Sequence, residues 1–188
     1  MQPKLLERES AYAGYLSIDR LKVQLADGAT VWREVERHGE AAVVLPYDAQ
    51  RRCALVVRLF RAPVFDVSGD TAVEEACAGM IEDGDAEATA RREAMEELGL
   101  TLGSLEPVAH VWSSPGVSTE RQSLFLAPYG LTDRKGGGGG VASEHEGITV
   151  IERPLADLAQ DVNQGRTTDA KLVVLVLALQ LRRPDLFA

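Results

Sequence analysis

The sequence predicts an α/β fold, a mixed β-sheet with helices packed against it. Strand-period and β-branched segments fill most of the first half of the chain, and helix-period segments close it. The 188 residues, 45% apolar and 26% charged, are enough for an ordinary core. No repeat and no linker composition interrupts them, so a single domain over residues 1–188 is expected.

Residues 15–25, YLSIDRLKVQL, alternate apolar and polar side chains as a half-buried strand does. Asp27-Gly28 signals a turn, and Val31 to Val35 reads as the returning strand of an N-terminal β-hairpin within about residues 12–36. Ala41 to Pro46 and Ala54 to Phe60 are β-branched-rich strands around the turn Tyr47-Asp48-Ala49-Gln50. A short strand near Val73 to Cys77 leads into Ala78-Gly79. Asp85 to Leu98 reads as a helix, with Asp85 as N-cap and Gly99 at C′. Leu105 to Trp112 and Gln122 to Tyr129 are strands about the loop Ser113-Ser114-Pro115-Gly116. Gly136 to Gly140 predicts a flexible surface loop, too short to be a domain boundary. A short strand at Ile148 to Ile151 precedes two helices, Pro154 to Gln164 and Thr168 to Leu181.

The net charge is −9. It argues against a non-specific nucleic-acid binder, which needs a basic face, and against a polybasic membrane anchor. The N-terminal MQPKLLERES lacks an apolar signal core, and the apolar run Leu172 to Leu181 is too short to span a bilayer. Cys53 and Cys77 lie in apolar stretches and read as buried free thiols, which fits a reducing cytoplasm.

The charge is uneven. From Gly79 to Leu100 seven acids face only Arg91 and Arg92, a local −5 within 22 residues. At 100° per residue, Glu93, Glu96 and Glu97 share one helix face, with Ala88, Ala94, Met95 and Leu98 roughly opposite. Glu93 and Glu97 repel at i, i+4 and lie towards the end of the helix that disfavours negative charge. A stabilising design would place lysines there. The plain alternative is a solvated acidic face. The functional one is a hard divalent cation such as Mg²⁺, which takes oxygen ligands, a backbone carbonyl of the Ala78-Gly79 turn among them.

Gly79, five residues, Asp85, six residues and then Arg92-Glu93-Ala94-Met95-Glu96-Glu97-Leu98-Gly99-Leu100 resembles the Nudix box, G-x5-E-x7-R-E-U-x-E-E-x-G-U. The second half matches at nearly every fixed position, with Ala94 small for U. The box is one residue short before Arg92, and Asp85 replaces its first glutamate. Further similarity runs through Arg33-Glu34, Arg58-Leu59-Phe60-Arg61, Glu75-Ala76-Cys77-Ala78-Gly79, Ser114-Pro115-Gly116 with Glu120, the glycine run, Glu146 and Asp169-Ala170-Lys171. These segments look like the family branch that cleaves GDP-mannose and ADP-ribose, and the Glu-x-Cys-Ala-Gly lead-in is more like the GDP-mannose side.

The resemblance implies a Nudix fold, the sheet sandwiched between helices, and Mg²⁺-dependent hydrolysis of a nucleoside diphosphate sugar, with Mn²⁺ as a substitute. A nucleotide-sensing module without hydrolysis is the other class, but such modules typically lose the box glutamates. The implied metal ligands are the Ala78 carbonyl, Glu93, Glu97, Glu146 and a further Glu96, with Glu144 as rival to Glu146. Arg92 would hold a carboxylate in place. Glu120 would contact substrate or act as general base. Arg61 would bind the diphosphate through its fork of donors. Gly79, Met80 and Lys171 would touch substrate. Arg33, Glu34 and Tyr15 would serve the nucleotide, Tyr15 by stacking, with Tyr12 as its competitor and hairpin packing as its alternative. The related enzymes imply a homodimer joined through the hairpin.

Overall fold

The computed structural model describes residues 2–82, 84–141 and 147–188. The strands are β1 (Lys4–Ala13), β2 (Ser17–Gln24), β3 (Thr30–Arg37), β4 (Ala41–Asp48), β5 (Cys53–Leu59), β6 (Val73–Glu75), β7 (Cys77–Met80), β8 (Glu106–Trp112), β9 (Arg121–Pro128) and β10 (Thr149–Pro154). The helices are α1 (Ala62–Ser68), α2 (Ala86–Leu98), α3 (Leu155–Asn163) and α4 (Ala170–Arg182). The chain forms two compact units, Met1–Glu40 with His110–Gln122, and Ala41–Ala109 with Ser123–Ala188.

In the first unit, β1, β2 and β3 form an antiparallel sheet. The expected hairpin is β2–β3, in register from Ser17↔Arg37 to Gln24↔Thr30. Its turn is Asp27-Gly28, where Asp27 accepts from the Ala29 N–H and Gly28 takes φ 91°. Two corrections apply. Lys4–Ala13 is a strand, β1, that periodicity could not find, because every one of its residues is exposed and no alternation marks a buried face. Tyr15 lies in the β1–β2 turn, not in a strand, and its fully exposed side chain excludes hairpin packing.

In the second unit, a seven-stranded sheet runs β10-β5-β4-β9-β8, with β6 on β5 and β7 on β4. Alternate strand residues feed two cores, as the pleat requires. Val43, Leu45, Ala54, Val56, Leu124 and Leu126 pack against Leu155 and Leu158 of α3 and Leu172, Leu175 and Leu179 of α4. Ala42, Val44, Leu55, Val57, Phe125 and Ala127 pack against Ala90, Ala94 and Leu98 of α2. Helices therefore cover both faces, as expected. Burying one such leucine contributes about 2 kcal/mol. The β4–β5 turn comes later than expected, because Asp48 ends the strand and its carboxylate accepts from the Gln50 and Arg51 N–H groups. Helix α1 is also absent from the sequence reading. It has seven residues and no buried one, so it leaves no apolar stripe, only Pro63 at its start and Gly69 at its αL end.

Cys53 and Cys77 are buried and unbridged, as expected. Among the described residues no helix is long and apolar enough to cross a membrane.

Candidate functional site

Helix α2 starts where the sequence placed it. Asp85 accepts from the Ala88 N–H at 3.0 Å, and Gly99 closes the helix at φ 68°. The residue that departs from the box pattern thus serves as the cap. The apolar stripe differs from the expected one. Ala90, Ala94 and Leu98 are buried, whereas Ala88 and Met95 are exposed. The helix is rotated so that Glu93 and Glu97 face protein rather than solvent.

Glu97 is 5% exposed, and its carboxylate accepts from the Ala78 N–H at 3.3 Å. Glu93 lies over Gly79, where an added Cβ would sit 1.7 Å from its Oε1. Only glycine leaves room for that carboxylate. Arg92 grips both neighbours, with 2.7 Å contacts to Glu93 and to Glu96. Its guanidinium is stabilised in the charged form, because these two acids outweigh the opposing effect of burial. Glu96 stays at the rim. The buried Cys77 thiol is pushed well up, first by burial and then by the charge of Glu97 and a hydrogen bond to it.

A solvated acidic face does not bury a carboxylate, so that alternative fails for Glu97. Two carboxylates meet the Ala78-Gly79 backbone, and carboxylate oxygens suit a hard cation. Among the described residues, no three His, Cys, Asp or Glu side chains gather closely enough to hold a metal alone. Glu144 and Glu146 lie outside the described residues.

The C-terminal end of α2 resolves the puzzle of its charge. The glycine run lies on it: the Gly139 N–H donates to the Glu97 carbonyl at 2.8 Å, and the Gly140 N–H to the Glu96 carbonyl at 3.1 Å. Lys135 donates likewise to the Gly99 carbonyl at 2.7 Å. These donors satisfy carbonyls that a helix end leaves open and offset its negative end. The expected flexible loop is thus a cap. Gly138 must be glycine here, since it takes φ 69° and its Cβ would lie 2.1 Å from the Glu97 carbonyl oxygen.

A second cluster joins β6, the start of α1 and α4. Glu75, 6% exposed, accepts from Arg61 Nε at 2.7 Å and Nη2 at 3.2 Å, and from Lys171 Nζ at 3.1 Å. Lys171 also donates to Asp169 at 2.8 Å. Asp169 caps α4 through the Lys171 and Leu172 N–H groups and accepts from the Ala76 N–H at 3.1 Å, at the break between β6 and β7. Burial raises the Glu75 carboxyl, but the Arg61 hydrogen bonds and the Lys171 charge prevail, so it falls below its ordinary value. Burial opposes the Lys171 charge in turn, and Asp169 and Glu75 raise it above its ordinary value. Arg61 and Lys171 were expected; Glu75 and Asp169 were missed as site residues. Their signals were present: an acid in an apolar strand, and an Asp just before a helix.

In the first unit, Glu120 ends the Ser113 loop. Its N–H donates to Ser118 Oγ at 3.1 Å, and its carboxylate accepts from Gln122 at 3.2 Å and lies 4.0 Å from His38 Nδ1. Arg33 and Glu34 are exposed on β3, and Arg33 donates to its neighbour's carbonyl, that of Trp32.

A NUDIX domain model matches residues 37–171. The chain belongs to the Nudix family. As a Nudix protein it is 40% identical to a GDP-mannose pyrophosphatase of Cronobacter sakazakii over 152 residues, 80% of this chain and 78% of that one. It is 34% identical to an ADP-ribose pyrophosphatase of Shigella flexneri over 189 aligned positions, 97% of this chain and 90% of that one. The Nudix fold also appears in the likeness to a crystal structure of an ADP compounds hydrolase, with TM-score 0.80, 17% identity and coverage of 98% and 96%.

Proposed function

We propose that this Nudix hydrolase cleaves the diphosphate bond of a nucleoside diphosphate sugar, GDP-mannose first, with water giving GMP and mannose 1-phosphate. The observation that carries the reading is the meeting of Glu93 and Glu97 at Ala78-Gly79 in a chain 40% identical to a GDP-mannose pyrophosphatase. Mg²⁺, with Mn²⁺ as substitute, would be held by the Ala78 carbonyl, Glu93, Glu97 and Glu146, with Glu96 as a further ligand. When bound it supplies positive charge that polarises phosphoryl oxygens and lowers the pKa of water.

The chain's own residues do the rest. Arg92 holds Glu93 and Glu96 in place. Arg61 and Lys171 bind the diphosphate, and the Gly79-Met80 backbone lies beside it. Glu120 contacts substrate or takes a proton from water, and its fixed loop supports that assignment. Arg33, Glu34 and Tyr15 bind the nucleotide across a homodimer. The exposed Leu5, Leu6, Tyr12, Tyr15, Trp112 and Val117 of the first unit support such an interface. The buried free thiols support a cytoplasmic location.

ADP-ribose, giving AMP and ribose 5-phosphate, is the second reading, favoured by the relative that matches 97% of the chain. The test is incubation with Mg²⁺ and a panel of GDP-mannose, ADP-ribose and related compounds, with products identified by mass spectrometry. Release of GMP from GDP-mannose at the highest kcat/KM is expected. Faster cleavage of ADP-ribose reverses the substrate order, and no nucleoside monophosphate from any compound defeats the reading. EDTA should abolish turnover and Mg²⁺ restore it.

A further inference from the structure

We infer that Glu75 is a positioning residue, a buried carboxylate that sets the spacing of Arg61 and Lys171 for one diphosphate. This deepens the function proposed above and rests on it.

The two cations come from elements far apart in sequence. Arg61 precedes α1, and Lys171 lies in the first turn of α4. Both reach one carboxylate from β6. Arg61 is bound by two N–H groups, which fixes the plane of its guanidinium as well as its position. Lys171 is held between Glu75 and Asp169, so two of its three donors set its direction. The adjacent Ala76 N–H binds Asp169, so β6 and α4 are joined at consecutive residues. An arginine and a lysine side chain left loose would each have to be ordered when an anion binds. Here that ordering is done in the free protein.

A purely stabilising role is the rival account. A buried ion pair is a poor source of stability, because desolvating the charges offsets their attraction, and an apolar residue of similar volume is commonly as stable. Asp169 by itself joins α4 to the β6–β7 break and caps the helix. The Arg61–Glu75 pair is therefore not what joins α4 to the β6–β7 break.

The test is a double-mutant cycle read in KM and kcat. Glu75→Gln keeps the shape and loses the charge. It is expected to raise KM for the nucleoside diphosphate sugar about tenfold with kcat little changed. Arg61→Ala raises KM as well, and adding Glu75→Gln to it should raise KM by clearly less than in the wild-type background, because only the hold on Lys171 is left to lose. The Mg²⁺ concentration for half activation should stay at the wild-type value in Glu75→Gln. Glu75→Asp, which keeps the charge, should recover part of the loss, and it replaces Glu75→Gln in the cycle if that variant does not fold. Independent KM effects that multiply in the double variant overturn the inference, as does a wild-type KM in Glu75→Gln. If the wild type turns over no nucleoside diphosphate sugar, the functional reading fails instead. Calorimetric binding of GDP then decides: about tenfold weaker binding by Glu75→Gln supports the role of Glu75, and equal binding overturns it.

Discussion

Glu97 shows how little a charge count says about what a residue does. It is one of seven acids between Gly79 and Leu100, yet it is 5% exposed and meets the Ala78 N–H. Glu82 and Glu87, from the same cluster, are exposed. Glu97→Gln keeps the volume and removes the charge that a cation needs. We expect kcat to fall by about 10²-fold or more, measured as nucleoside monophosphate release at saturating Mg²⁺, with the fold retained. Retention of full turnover would remove Glu97 from the metal site. Glu75 carries a prediction on pH. Its folded carboxyl lies below the ordinary value, so its contribution to stability is fully present above the unfolded value of about 4.3 and is lost as pH falls through the folded one. Lys171 has the opposite sign: its value is raised, so its contribution is present below about 10.4 and is lost as pH rises through the folded value. Thermal unfolding of wild type and Glu75→Gln should therefore differ most near neutral pH and converge in acid. Parallel curves down to pH 2 would contradict this.

At the scale of elements, α2 depends on a segment about forty residues later. The Gly139 and Gly140 N–H groups bind the carbonyls of Glu97 and Glu96. The backbone that carries the carboxylates is thereby held from its C-terminal end. Gly138→Ala puts a methyl group 2.1 Å from the Glu97 carbonyl oxygen at a φ of 69°. We expect a loss of about 1–3 kcal/mol in denaturant unfolding, together with a weaker response to Mg²⁺, because relief of the clash moves the end of α2. Asp85→Ala serves as the contrast. It loses an N-cap bond worth about 1 kcal/mol at the other end of the helix, and the Mg²⁺ response should stay as it was. Equal Mg²⁺ responses in the two variants would separate the glycine cap from the carboxylates.

On the scale of the whole molecule, each unit carries its own ion pairs and its own exposed apolar side chains. The second unit closes its sheet between helices. Arg58, Glu74, Arg153, Asp161 and Arg166 form an alternating chain of ion pairs around a cavity of about 490 Å³. Each arginine of that chain has a carboxylate partner. The first unit leaves Leu5, Leu6, Tyr12, Tyr15 and Trp112 exposed. Light scattering after size exclusion should give twice the 20.3 kDa chain mass, and Leu5→Ser with Leu6→Ser should shift the mass towards the monomer. A wild-type monomer at micromolar concentration would refute the dimer, and with it a nucleotide site shared across two chains.

What the sequence determined by itself is what is written locally. Helix α2 with both its caps, the Asp27-Gly28 turn, the covering of the sheet by α2, α3 and α4, and the box residues were legible because periodicity, capping and motif spacing act within a few residues. The exposed β1 and the short α1 were not, since neither has a buried face to leave a pattern. The tertiary structure alone decided which way α2 turns its acids, what lies on its C-terminal end, and that Glu75 and Asp169 join Arg61 to Lys171. Those outcomes depend on contacts between residues 14 to 96 positions apart, and a pattern with a period of two or 3.6 carries no information over such a span.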